Sequence, residues 1–457
     1  MRKIDVLTLI CFLFFLTGFS ESSAQGTIDA EIRPRTELRS GFNQPLSDTL
    51  KSSFFTIQRT RINFNYTSGL LNARLTLQDA RVFGETDTRQ LTTATAGNIS
   101  IYEAWAEILL VSGTRFKIGR QGIQFEDGRL FSLSPWSNTG NAHDLMQLQY
   151  TSKDLGVQLG YALNNQNTLN ADTLYYSISK MYKQLAFLHL TKTIVPGLDL
   201  SLLGVNEGFQ QSRADLNLYH RYTTGGTLQL KNEKQPLGFL LTGYYQFGKS
   251  TPNIKLNAWL LALKATYTFT CKINGLAGID YYSGSKNSLP ATKTNTFNKL
   301  PYGVNHSFNG YLEYWATLPK GGLVNYLGGV SLKINRKLSS DITYYGFILA
   351  KEMNVSVKRE QSQIYLSFIG QEKHLLEMEA ENNHVPKNIG SEVDFVLNYK
   401  LSSVTAVQAA WCCYFANNGT NLLKYKKATV NTRFPQYAYL MLTVRPQFCK
   451  TSSPEIN

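Results

Sequence analysis

Ile28-Asp29-Ala30-Glu31-Ile32-Arg33-Pro34-Arg35-Thr36-Glu37-Leu38-Arg39 alternates without a break. Every odd position is charged and every even one is apolar or neutral. A period of two is that of a β-strand, so one face carries all the charge and the other none. Such a strand either lies over a soluble core or stands in a membrane barrel. In the barrel its apolar face meets lipid and its charged face lines the lumen.

The same alternation returns along the chain. Ile62, Phe64 and Tyr66 oppose Arg61, Asn63 and Asn65; Leu71, Ala73, Leu75 and Leu77 oppose Asn72, Arg74, Thr76 and Gln78. Tyr102, Ala104, Ala106 and Ile108 oppose Glu103, Trp105 and Glu107, and Phe116 and Ile118 oppose Arg115, Lys117 and Gly119. Far downstream, Val393, Phe395, Leu397 and Tyr399 oppose Glu392, Asp394, Asn398 and Lys400. No stretch of the mature chain is apolar enough to span as a helix.

The connections between these segments alternate in length. Short ones fall near 67–70, 111–114, 153–155, 194–197, 232–236, 270–273, 334–340 and 401–403. Long ones fall near 40–53, 82–98, 126–143, 165–180, 209–218, 284–322, 351–387 and 416–433, with 248–254 intermediate. Short periplasmic turns alternating with long extracellular loops mark an outer-membrane barrel, and termini that share one side require an even strand number. The expected fold is therefore all-β: a single antiparallel transmembrane β-barrel of eighteen strands, within a range of sixteen to twenty. Segments 307–317 and 361–369 are either excursions of outer loops or a strand each. The last strand, about 434–448, closes on Phe448. A barrel of this size is too wide for side chains alone to fill and leaves an aqueous channel.

Composition agrees. The chain has 457 residues, of which 12% are aromatic and only 17% charged, which excludes a disordered or coiled-coil chain. Arg2 and Lys3 precede an apolar run from Val6 to Phe19, and Ser22-Ser23-Ala24 ends it. This order predicts a cleaved signal peptide over 1–24, with the barrel domain over 25–457 and export to the outer membrane. Four cysteines remain beyond the signal, Cys271, Cys412, Cys413 and Cys449, with no metal-ligand spacing. No metal and no cofactor is expected.

The net charge of +14 points to anionic partners. Residues 25–130 hold eleven arginines, against six in the 327 residues that follow. Most of the eleven fall on the face assigned to the lumen. Arginine stays charged and offers a planar fork to carboxylate or phosphate, and rings of basic side chains select anions. The candidate basic path is Arg33, Arg35, Arg59, Arg61, Arg74, Arg81, Lys117 and Arg120. Its acidic partners are Glu31, Asp79, Glu103, Glu107, Asp144, Glu392 and Asp394. Pairing among these groups would make the arginines structural braces; a surplus of arginine would leave a cationic route.

Several short runs carry a resemblance. Arg33-Pro34-Arg35, Gln58-Arg59-Thr60-Arg61, Asp79-Ala80-Arg81 and Glu103-Ala104-Trp105 are four of them. Gly119-Arg120-Gln121 with Phe125, Gly128-Arg129, Trp136 and His143-Asp144 follow. Later come Gly278-Ile279-Asp280-Tyr281-Tyr282-Ser283-Gly284, His306-Ser307-Phe308-Asn309-Gly310-Tyr311 and Gly390-Ser391-Glu392-Val393-Asp394. In this order, over nearly the whole mature chain, they resemble the alginate-export family of outer-membrane proteins of Gram-negative bacteria. The resemblance implies an eighteen-stranded monomeric barrel with an arginine-lined constriction, passing acidic, uronate-type polysaccharide or oligosaccharide. It also implies, by position, the basic path named above without Lys117, and braces at Asp79, Glu103 and Asp144.

The expected function is that of an outer-membrane channel for anionic solutes. Expected partners are membrane lipid and lipopolysaccharide, the barrel-assembly machinery and the solute, and not nucleic acid. The alternatives are a secreted or periplasmic all-β glycan-binding or glycan-processing protein, and a plugged structural barrel. An enzyme is not expected: His306 and Ser307 are consecutive, and on a strand they would face opposite sides. The acidic run 372–381 reads as a solvated outer loop. Tyr66, Tyr102, Tyr150, Tyr161 and Tyr399 suit interfacial girdles, while Tyr281, Tyr311 and Trp136 suit the pore mouth.

Overall fold

The computed structural model describes residues 24–84, 99–164, 181–212, 215–231, 236–304, 306–358, 380–427 and 430–451. All but the last residue of the expected signal peptide, segment 361–369 and most of the run 372–381 lie outside the described residues.

Strands form where the period-two pattern runs. In chain order they are β1 Gln25–Ser40, β2 Ser53–Thr67, β3 Leu71–Val82, β4 Ser100–Val111, β5 Thr114–Gln121 and β6 His143–Thr151. Then come β7 Leu155–Leu163, β8 Gln184–Val195, β9 Leu198–Ser212, β10 Asp215–Leu230, β11 Leu237–Thr251 and β12 Ile254–Thr270. The last six are β13 Ile273–Tyr282, β14 Leu323–Lys333, β15 Leu338–Ile348, β16 Asn388–Lys400, β17 Thr405–Phe415 and β18 Gln436–Val444. Chain neighbours pair antiparallel around the sheet, and β18 returns to β1, with Ile32 opposite Val444 and Ser40 opposite Gln436. Eighteen strands thus close into a barrel that leaves no sheet edge.

Side chains sort as the alternation requires. Ile62, Leu75, Ile108, Leu148, Leu261 and Phe395 point outward and are exposed, part of a continuous apolar belt. A soluble protein does not carry such a belt, so the soluble alternative is set aside. Leu261→Arg, midway along β12, should cost about 2–4 kcal/mol if the belt lies at the bilayer midplane. Urea unfolding of the lipid-embedded protein, read by heat-modifiable gel mobility, measures that loss.

Two outer connections are shorter than expected. β9 and β10 are separated by two residues, with Gln210 opposite Leu218, so 209–212 and 215–218 are paired strand and not a long loop. β11 and β12 are likewise separated by two residues. Above the membrane the outer face need not be apolar, so the alternation fades there while the pairing continues. Segment 307–317 is not a strand: it holds the short helix His306–Asn309 and lies within the connection from β13 to β14.

The interior is not a plain aqueous channel. Connections 122–142 and 283–322 fold back into the barrel and build a core there. Phe125, Phe131, Tyr302 and Trp315 from these loops pack with Tyr182, Phe187 and Tyr282. The loops touch directly, Ser132 N–H donating to the Tyr302 carbonyl at 2.8 Å and Val304 N–H to that of Gly128 at 3.1 Å. Wall side chains alone would leave an open lumen; here two inward loops narrow it.

Candidate functional site

The register of β1 and β2 puts Arg33 directly across from Arg59. Like charges opposed on one face repel unless acceptors lie between them. Connection 122–142 supplies the acceptors. Arg33 donates to the carbonyls of Pro135, Trp136 (3.2 Å) and Ser137 (2.8 Å). Arg59 donates to the same Pro135 (3.1 Å) and Ser137 (2.8 Å) carbonyls, and Arg35 to that of Trp136 (2.8 Å). Arg61 reaches the Thr139 carbonyl at 3.1 Å. The Arg35 guanidinium also lies 3.8 Å over the Trp136 ring. Four arginines thus clamp the main chain of one loop. Glu31 and Glu37 complete the clamp, Glu31 pairing with Arg59 at 2.5 Å and Glu37 with Arg35 at 2.7 Å.

Three strands round the sheet from β1, β16 presents carboxylates to the lumen. Glu392 accepts from Leu312 N–H at 2.8 Å and Asp394 from Tyr311 N–H at 3.3 Å. Both acids are buried and hold connection 283–322 inward. Gly310 has φ +78, and a Cβ there would run into the Glu392 carboxylate, so this approach requires glycine. Trp136 and Tyr311, one from each loop, meet with ring centroids 5.1 Å apart. The arginine clamp and the β16 carboxylates therefore hold two loops against each other inside the barrel.

A second basic group faces the lumen nearer the periplasm. Arg74 pairs with Glu103 at 3.0 Å and Arg115 with Glu107 at 3.4 Å, and Lys117 Nζ lies 3.7 Å over the Trp105 ring. The Arg74 and Arg115 side chains keep 34% and 33% exposure, against 3–5% for Arg35 and Arg59. These exposed rungs, not the clamp, are open to a solute.

Four candidate residues lie elsewhere. Asp79 is opposite Thr60 and Arg81 opposite Gln58, on the outer face of β2, so their 2.7 Å ion pair faces away from the lumen. Arg120 is opposite the outward Ala104, and its 3.0 Å pair with Asp144 is also external. The physical reason is the alternation itself: Gln78 and Lys117 point inward, so Asp79, Arg81 and Arg120 point outward. Tyr102 makes the reverse error. A register shift between β3 and β4 turns it inward, where the Arg61 guanidinium covers its ring at 3.6 Å. The other four girdle tyrosines are exposed or part-exposed on the outside. Tyr281 is outward, opposite Leu261, and Tyr282 takes the inner place.

His306 and Ser307 sit on a helical turn, so their side chains are 3.3 Å apart and not on opposite faces. His306 packs against Trp136 and Tyr311. Burial, then the Arg35 charge, holds its imidazole down at about 4.

Sequence reading missed several anchors. Arg129 pairs with Asp280 through both its terminal nitrogens (2.8 and 3.2 Å) and donates to the Tyr282 hydroxyl. Arg221 grips Glu207 at 2.7 and 2.8 Å, and Tyr302 donates to the same carboxylate. Glu126 accepts from Ser201, with His189 3.1 Å away. Lys299 donates to the Trp315 carbonyl at 2.8 Å; burial, then the Arg129 charge, brings its ammonium down to about 7. Only the Arg129–Asp280 pair had a signal: both residues sit in runs already singled out. The four cysteines beyond the signal are unpaired.

Comparison with known proteins bears on this geometry. No curated protein matches the chain. OccAB4 of Acinetobacter baumannii superposes with a TM-score of 0.56 at 13% identity, covering 94% of this chain and 99% of that one. The outer membrane protein OprD of Pseudomonas aeruginosa gives 0.55 at 13% identity, over 94% and 95%. OccK5 of Pseudomonas aeruginosa gives 0.53 at 12%, over 95% and 100%. At such identities the likeness is one of fold. The model of the alginate export family, by contrast, matches residues 25–416, which takes in the clamp, both inward loops and seventeen of the eighteen strands, and the chain belongs to that family.

Proposed function

We propose that the protein is an outer-membrane channel for anionic solutes, with carboxylated oligosaccharides as the first substrate class. One observation carries the reading. The lumen face of β1–β5 holds eight cations (Arg33, Arg35, Arg39, Arg59, Arg61, Arg74, Arg115 and Lys117) against five carboxylates (Asp29, Glu31, Glu37, Glu103 and Glu107). A net positive wall of low-dielectric surroundings draws anions in, and half-exposed guanidinium groups bind carboxylates weakly enough to release them. Membership of the alginate export family supports the same substrate class.

The test is ion selectivity. In a planar bilayer under a salt gradient, the refolded protein should give an anion-selective reversal potential. Arg74→Ala/Arg115→Ala/Lys117→Ala leaves five cations facing five carboxylates and should bring that potential to about zero. A wild-type channel with no anion preference would sink the proposal.

The contact between the two inward loops favours a second reading, a barrel held shut until a loop shifts. It predicts no conductance from the wild type and clear conductance once the clamp is cut.

A further inference from the structure

The periplasmic end of the lumen holds a cavity of about 500 Å³ at the foot of β14–β18. Its lining includes Lys333, Arg336, Lys337, Lys400 and Arg445, and no carboxylate. Lys333, Arg336, Lys337 and Lys400 make no ion pair among the described residues. Asp341, on the neighbouring wall, does not line the cavity; it accepts from Ser331 at 2.5 Å and Asn398 at 3.1 Å. The floor is polar and ordered: Gln408 donates to Asn398 at 2.6 Å and accepts from Tyr439 at 2.8 Å. Five cations gathered around one hollow repel each other, and of the five only Arg445 has a carboxylate partner among the described residues.

Arg445 ties the hollow to the clamp. It pairs with Glu31 at 3.0 Å, and the other oxygen of Glu31 pairs with Arg59 at 2.5 Å. From Arg59 the basic face runs on to Arg33 and Arg35. The hollow is therefore tied through one carboxylate to the arginines that hold connection 122–142.

We propose that this cavity is a periplasmic docking site for an oligomeric carboxylate, engaged before the chain reaches the constriction. The proposal rests on the anion-channel reading and adds a place and a side to it. The site is a concavity within the barrel mouth and not a protruding rim, which favours a thin flexible chain over a folded acidic protein.

The test uses the refolded mature barrel in planar bilayers, with galacturonate hexamer added to one face at a time. The exposed Cys271 and Cys449 lie at the periplasmic end, so labelling with an impermeant maleimide identifies that face. Block of the channel should need at least about tenfold less hexamer from the periplasmic face, in low salt where exposed charges are least screened. Arg336→Gln/Lys337→Gln/Lys400→Gln should abolish the difference while leaving the reversal potential anionic. Glucose hexamer should show no preference for either face. Hexaglutamate separates charge from sugar: equal potency means the cavity reads carboxylates alone, and weaker block means it reads the ring as well.

Equal block from both faces of an anion-selective wild type overturns the site and leaves conduction standing, assigning the basic mouth to an acidic periplasmic protein. So does a triple variant that keeps the difference. Face-dependent block in a channel without anion preference keeps the site and removes the conduction reading.

Discussion

Replacing Arg33, Arg35 and Arg59 together by alanine should raise single-channel conductance by about twofold or more and add open-state noise. The sign of this effect decides between brace and path. If these arginines served as the conducting surface, their loss would lower anion flux. They instead donate six hydrogen bonds to the carbonyls of Pro135, Trp136 and Ser137. Charge-assisted bonds contribute about 1.5–3 kcal/mol each, so cutting six removes far more than thermal energy even though they do not add independently. Arg35 takes a cation–π contact with Trp136 along with it. Connection 122–142 would keep its Arg129–Asp280 anchor but lose its hold on β1 and β2. Glu31 and Glu37 would be left without those partners, so anion preference should weaken as conductance grows. A triple variant with lower conductance than the wild type would refute the brace.

Gly310→Val should release connection 283–322. The backbone there has φ +78, which costs a β-branched residue roughly 1–2 kcal/mol. The new side chain would also displace the Glu392 carboxylate from Leu312 N–H and so expose a buried acid to desolvation. An unmet buried acceptor adds about 1–3 kcal/mol or more. Eighteen paired strands remain untouched, so the barrel should still assemble and keep its heat-modifiable mobility. Trypsin should cut at Lys299 or Lys320 at least about tenfold faster than in the wild type, a rate factor matched by 1.4 kcal/mol of lost closure. Unchanged cleavage kinetics would mean that the acid pair does not hold the loop.

The barrel was legible because lipid enforces a strict rule. Wherever a strand crosses the apolar layer, every second residue must be apolar, as in 28–39 and 392–400. The rule lapses above the layer, and there the reading slipped. Residues 209–212 and 215–218 read as a loop although they are paired strand. Alternation also carried more information than was drawn from it: Asp79, Arg81 and Arg120 stand on the outward parity of their own strands. Tyr102 was not legible, since a register shift leaves no mark in one sequence. The inward loops had a faint trace. The short runs that carried the family resemblance meet in pairs, Gly128-Arg129 with Asp280, and Gly310-Tyr311 with Glu392 and Asp394. A sequence gives such runs in order, and only folding says which one answers which.

The clamp grips main-chain oxygens, and a guanidinium fork cannot tell one residue's carbonyl from another's. The carbonyls of Pro135, Trp136, Ser137 and Thr139 are therefore held whatever their side chains, although Trp136 meets the Arg35 guanidinium, Asn138 donates to the Gln58 carbonyl and the Ser137 hydroxyl accepts from the Thr139 and Gly140 N–H groups. Substitutions that spare those side chains and the path of the loop should therefore leave it seated, with no compensating change needed in β1 or β2.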